Sequence, residues 1–104
     1  MINLDASTFA QKISEENVVV LDVRTFEEFN QSHIQDALNF DVQGDYFTAD
    51  VSALDKSKSY AVYCRSGKRS VLASEVMEQM GMANVYNLTG GIMEWQESGR
   101  DTVN

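Results

Sequence analysis

Short apolar runs, each followed by a helical pattern, constrain this chain more than any other feature. Val18-Val19-Val20-Leu21 and Tyr60-Ala61-Val62-Tyr63 have strand length and no polar alternation. Such runs suit strands covered on both faces, as in a parallel sheet. Val85-Tyr86-Asn87-Leu88 reads as a last strand, and Ala37-Leu38-Asn39-Phe40 as a short one. Helical patterns fall between them. Asp5 is placed to cap a first helix whose buried stripe is Phe9, Ala10 and Ile13. Thr25 to Gln31 forms a second, with Thr25 and Glu28 at capping-box spacing and Phe26 and Phe29 as its inner face. Within the weakly patterned stretch from Asp41 to Asp55, Tyr46 to Leu54 holds one loose helix.

The strongest helical pattern runs from Ser70 to Met80. Leu72, Val76 and Met80 recur at i, i+4 and i+8, widened by Ala73 and Met77. Glu75 and Glu78 fall toward solvent, and Gly81 sits at the C-terminal cap. Past Gly90-Gly91, a short helix runs through Trp95. Strands alternating with helices predict an α/β fold with a mostly parallel sheet. Ligands of such sheets bind beyond the carboxyl ends of the strands, where Asp22 and Cys64 both stand and share one crevice.

With 104 residues, no repeat and no linker, the chain is expected to be a single domain, residues 1–104. No stretch approaches the roughly 18 apolar residues of a membrane helix. The N-terminus lacks the basic start and long apolar segment of a secretory signal, so a cytoplasmic location is expected. A formal charge of -8 disfavours nucleic acid, whose phosphates need a basic face. One Cys and one His give no zinc-type spacing and no internal disulfide, and no metal or cofactor is predicted.

Cys64 stands between a strand and a polar loop, Arg65-Ser66-Gly67-Lys68-Arg69, with a helix beginning near Ser70. The loop holds three of the eight Lys and Arg residues of an acidic chain. A thiol facing a helix start among cations is expected to ionise below the free value of about 8.5, and the thiolate is the nucleophile. Gly67 allows a positive φ, so successive N–H groups can turn into one anion-binding cup. The expectation is an exposed, negatively charged sulfur ringed by inward-pointing amides. The net negative charge does not oppose an anionic substrate, because exposed charges beyond about 8 Å are largely screened at physiological salt.

Four pieces together resemble the rhodanese family of sulfurtransferases in its single-domain form. They are Leu21-Asp22-Val23-Arg24 followed by Glu27-Glu28-Phe29; His33-Ile34 with Ala37 and Asn39; Cys64-Arg65-Ser66-Gly67-Lys68-Arg69-Ser70; and Gly90-Gly91 with Trp95. Ser32 and Asp36 stand where the family often has Gly, and Phe40-Asp41 where it usually has Pro, which alters turns near the second piece. The resemblance implies a five-stranded parallel sheet flanked by helices on both faces, with the cysteine loop cradling the substrate.

It also implies a sulfurtransferase. Cys64 takes the outer sulfur of a small anionic donor such as thiosulfate, becomes a persulfide, and passes the sulfur to cyanide or to a thiol, small or on a protein. Arg65, Ser66, Gly67, Lys68, Arg69 and Ser70 form the substrate-binding loop. Arg65 and Lys68 are candidates for the donor's oxygens; Arg69 either joins them or reaches a carboxylate such as Asp22. Asp22 and Arg24 support the loop. His33 is read as structural, since a pre-ionised thiolate needs no base. Met77, Met80, Met82 and Met93 are read as core filler and Trp95 as a packing anchor. With one cysteine, the acceptor must come from outside. The rival readings are a persulfide carrier or interaction module, and a cysteine phosphatase. The last is disfavoured because Arg69 follows Cys64 after four residues rather than the five of such phosphatases.

Overall fold

The apolar runs pair into one sheet. In a computed structural model describing residues 1–104, the strands are β1 (Ile2–Leu4), β2 (Val18–Asp22), β3 (Leu38–Asn39), β4 (Ser59–Tyr63) and β5 (Asn84–Leu88). The helices are α1 (Ala6–Ile13), α2 (Phe26–Gln31), α3 (Phe47–Ser52), α4 (Lys68–Gln79) and α5 (Gly91–Glu97). The sheet order is β1-β5-β4-β2-β3, and every pairing is parallel. The α/β expectation, the five strands and the flanking helices are therefore met. β1 carries no apolar run, and the pattern of residues does not announce it.

Alternation along the strands builds two cores. Leu21, Tyr60, Val62 and Val85 face one side with Phe47 and Val51 of α3 and Ala73 and Met77 of α4. Val20, Ala61, Tyr63 and Leu88 face the other with Ala6 and Phe9 of α1 and Ile92 and Trp95 of α5. Successive strand residues point to opposite faces, so strands buried on both sides must be apolar throughout. Phe9 is fully buried and meets Tyr63 and Trp95 edge-on at 6.5 and 6.2 Å. Truncating such a ring to Ala costs about 3–5 kcal/mol. Trp95 is the anchor expected of it, and its indole N–H donates to the Asp101 carbonyl at 2.9 Å.

The caps match the sequence. Asp5 accepts from the Thr8 N–H at 2.8 Å, and Thr25 with Glu28 completes its capping box. Gly81 has φ +100° just past α4, the left-handed turn that favours glycine.

Three packing expectations are corrected. On α4, the buried residues are Ser70, Ala73, Ser74 and Met77, while Leu72 is 54% exposed and Val76 and Met80 only half-buried. Small side chains let this helix approach the sheet closely. The two serines are buried cheaply because Ser74 donates to the Ser70 carbonyl at 2.7 Å and Ser70 to that of Gly67 at 3.1 Å. On α2, Phe26 is 64% exposed instead of facing inward. That helix is held by polar contacts of Glu28 and by Phe29, whose ring stacks on His33 at 3.7 Å. Finally, Met93 is exposed, whereas Met77 and Met82 fill the core as expected.

Candidate active site

The register of the sheet sets the site. Asp22 pairs with Tyr63 across β2 and β4, so Asp22 and Cys64 leave the sheet at the same level of its carboxyl edge. Asp22 does not open into a crevice. It is fully buried and gripped by Arg24, itself 4% exposed. Arg24 Nη2 donates to Asp22 Oδ2 at 2.7 Å, Arg24 Nε to both carboxylate oxygens at 3.1 Å, and the Arg24 backbone N–H to Oδ1 at 2.9 Å. Arg24 Nη2 also donates to the Ser32 carbonyl at 2.6 Å. The pair thus ties the end of β2 to the end of α2. A buried pair with every lone pair occupied is tolerable; one partner alone would not be.

Cys64 follows the central strand directly. Its sulfur is turned under the loop, and the residue is 1% exposed. The expected exposed thiol is corrected on this point: the loop backbone at Gly67 folds over it. One inward amide is within hydrogen-bond distance of the sulfur. The Gly67 N–H donates to Sγ at 3.0 Å, and Sγ lies 3.4 Å from Ser70 Oγ. Burial pushes the thiol up. Against it, the Ser70 hydroxyl and the N–H groups of Ser70, Gly67 and Ser66 favour the thiolate, and the net shift is downward.

Gly67 holds φ +109°, and a β-carbon there would lie 2.2 Å from the Thr89 carbonyl oxygen. Only glycine fits both the angle and the approach. The loop is moored on its other flank by α5. The Ile92 N–H donates to the Cys64 carbonyl at 2.9 Å, and the Met93 N–H to that of Arg65 at 3.2 Å.

The loop cations separate into two kinds. Arg65 and Lys68 are exposed and form no ion pair; Ser66 is exposed beside them. Arg69 is committed. Its Nη1 and Nη2 donate to Glu28 Oε1 and Oε2 at 2.7 and 2.9 Å. It reaches a carboxylate, as one of its two expected roles allowed, but the partner is Glu28 rather than Asp22. Ser70 is fully buried, so its hydroxyl meets the sulfur from beneath rather than a molecule arriving from solvent. His33 sits apart in a structural setting: its Nδ1 lies 2.8 Å from the Phe29 carbonyl, and its backbone bridges to Val103.

The largest hollow, about 820 Å3, lies between α1, β2, β3 and the segment after α5, and includes Ile13, Val20, Leu38 and Trp95. Cys64 lines neither it nor the smaller hollow beside α2 and α3. The chemistry therefore locates the candidate site at the carboxyl edge, where parallel sheets bind ligands, and not at the greatest concavity. No group of three or more His, Cys, Asp or Glu side chains is arranged to hold a metal.

A buried thiol that accepts a backbone N–H thus stands at the carboxyl edge of a five-stranded parallel sheet. Residues 5–98 match the Rhodanese-like domain family, and the chain belongs to it. It is 35% identical to a sulfurtransferase of Allochromatium vinosum over 99% of this chain and 96% of that protein. It is 33% identical to a putative mitochondrial thiosulfate sulfurtransferase of Schizosaccharomyces pombe, over 80% of this chain and 66% of that one. It is 32% identical to a putative sulfur carrier protein of Bacillus subtilis, over 90% of this chain and 49% of that one. Among solved structures, a rhodanese-related protein of Thermoplasma volcanium superposes with TM-score 0.88 at 30% identity, over 99% of this chain and 98% of the other. The family is that of sulfurtransferases and sulfur carriers, and no helix is long and apolar enough to cross a membrane.

Proposed function

We propose that this chain is a thiosulfate sulfurtransferase working through a persulfide on Cys64. The observation that carries the reading is the Gly67 N–H at 3.0 Å from Sγ, inside a loop that lowers the thiol against its own burial. The Cys64 thiolate attacks the outer sulfur of thiosulfate. A new S–S bond forms at Cys64, the old one breaks, and its electron pair leaves with sulfite. The amides that cup the thiolate then face the negative persulfide. Cyanide or an external thiolate attacks the outer sulfur, the S–S bond breaks, and the Cys64 thiolate returns. No oxidant or reductant is consumed, and one difficult transfer is divided into two.

Arg65 and Lys68 hold the donor's oxygens, since both are exposed and unpaired. Arg69 contributes less, because Glu28 already neutralises it. Two free cations suit a small doubly charged donor better than the single carboxylate of mercaptopyruvate. A nearly closed sulfur also favours a small donor whose outer atom can enter the loop. The setting is the cytoplasm, where the single thiol stays reduced.

A second reading is a persulfide carrier that accepts sulfur from one protein and yields it to another, favoured by the Bacillus subtilis likeness. A panel of donors separates the two. Thiosulfate with cyanide should yield thiocyanate, and p-nitrophenyl phosphate should yield nothing. A chain inert to thiosulfate but loaded by a protein persulfide would replace the enzyme reading with the carrier reading. A Cys64→Ser variant that kept wild-type transfer would end both.

A further inference from the structure

The peptide units of the Cys64 loop are aimed from outside the loop. The Cys64 and Arg65 carbonyls accept from the Ile92 and Met93 N–H groups at 2.9 and 3.2 Å. These donors belong to the first turn of α5, where helix N–H groups have no partner within the helix. In a trans peptide the carbonyl and the following N–H point in opposite directions, and the chain has no cis bonds. Holding the Arg65 carbonyl against α5 therefore turns the Ser66 N–H away from α5, into the loop. Gly91 permits this contact: with φ +65°, a β-carbon there would lie 2.3 Å from the Arg65 carbonyl oxygen and 2.6 Å from the Ser66 nitrogen.

The start of α5 lacks an ordinary side-chain cap, since Gly90 stands at that position. Glu94 supplies the missing acceptor from within the helix. Its Oε1 accepts from the Gly90 N–H at 3.0 Å, and its Oε2 accepts from the Ala6 N–H, the first of α1, at 2.8 Å. One half-buried carboxylate thus fixes two helix starts, and one of them is the mould for the catalytic loop.

We propose that Glu94 is a positioning residue for Cys64: it sets the first turn of α5, whose Ile92 and Met93 N–H groups hold the loop carbonyls so that the loop amides face the sulfur. The inference deepens the sulfur-transfer reading and rests on it only for the part Cys64 plays in catalysis.

The sign of the effect separates positioning from simple electrostatics. Removing a negative charge favours a nearby thiolate, so loss of Glu94 by charge alone would lower the thiol's titration midpoint. Misaimed amides would raise it. Iodoacetamide alkylation of Cys64 across pH, in the full chain, reads this directly. Glu94→Ala should move the midpoint up and slow alkylation at neutral pH by about tenfold. Glu94→Gln, which keeps one accepting oxygen, should fall between it and the wild type. Asp5→Ala is the control: it removes the side-chain acceptor of the Thr8 N–H in α1 but no hydrogen bond of Glu94 or of α5, and should keep the wild-type midpoint.

A wild-type or lowered midpoint in Glu94→Ala, or an equal rise in Asp5→Ala, overturns the proposal. Should Glu94→Ala fail to fold, an unshifted Glu94→Gln midpoint overturns it alone. Failure of the sulfur-transfer reading looks different: thiosulfate would leave no sulfur on the wild-type protein, whatever the midpoints.

Discussion

The Arg69 guanidinium grips the Glu28 carboxylate as a two-bond fork, at 2.7 and 2.9 Å, across 41 residues of sequence. The fork joins the first turn of α4 to α2, so the helix that follows the cysteine loop is tied to the helix that follows β2. Glu28 also accepts from the Thr25 backbone and hydroxyl at 3.2 and 3.1 Å, which closes its capping box with the same carboxylate.

That double duty makes a pH prediction. The Arg69 fork first, and then the Thr25 backbone bond, holds Glu28 at about 2 against burial, below its ordinary 4.5. A depressed folded value means the contribution is complete above about 4.5 and fades as pH falls toward 2. Glu28→Gln should cost about 1 kcal/mol near neutral pH, a figure reduced for partial exposure. Urea titrations of both proteins should converge as the pH approaches 2. A gap that stayed constant down to that pH would show that the carboxylate's charge contributes nothing.

Arg24 should prove indispensable for a different reason. Removing it leaves the fully buried Asp22 carboxylate unpaired, and Arg24→Ala should cost about 3–5 kcal/mol in urea denaturation. Combining it with Asp22→Ala should restore part of that loss. A double variant no more stable than the single would place the damage in the lost Ser32 contact instead.

Gly67→Ala should damage the loop more than the fold. The added carbon would meet the Thr89 carbonyl at 2.2 Å, in a backbone conformation that side chains rarely adopt. The loop must shift, and the Gly67 N–H leaves the sulfur. Transfer to cyanide should fall at least tenfold while far-UV circular dichroism stays that of the wild type. Wild-type transfer would remove this amide from the mechanism.

The loop cations should divide as their partners do. Arg65→Ala and Lys68→Ala should each raise the KM for thiosulfate several-fold with unchanged melting temperature, since neither side chain holds anything in the fold. Arg69→Ala should instead lose stability along with Glu28's partner. An unchanged KM in both Arg65→Ala and Lys68→Ala would move donor binding elsewhere.

Much of this architecture can be read from residues in order. Val18 to Leu21 and Tyr60 to Tyr63 are apolar because both sheet faces are covered, and Cys64 stands next to a cationic loop because a strand end and a helix start meet there. Other features depend on what sequence order conceals. β1 has three residues with an exposed edge, so nothing in Ile2-Asn3-Leu4 demands a strand. On α4, counting apolar residues favours Leu72, yet Ser70 and Ser74 lie inside because their hydroxyls are satisfied by backbone one turn away. Glu28 was legible as a cap but not as the partner of Arg69, and Glu94 gave no local signal at all. Both act through contacts between distant segments. The burial of Cys64 belongs to the same group, since the cover is a backbone turn rather than a side chain.

The most direct test weighs the protein. Intact mass measured after thiosulfate treatment should rise by one sulfur atom, located on Cys64 by peptide mapping, and cyanide should return the mass to its starting value. An unaltered mass under conditions where iodoacetamide does label Cys64, or a sulfur lost to cyanide from any other residue, would contradict the account.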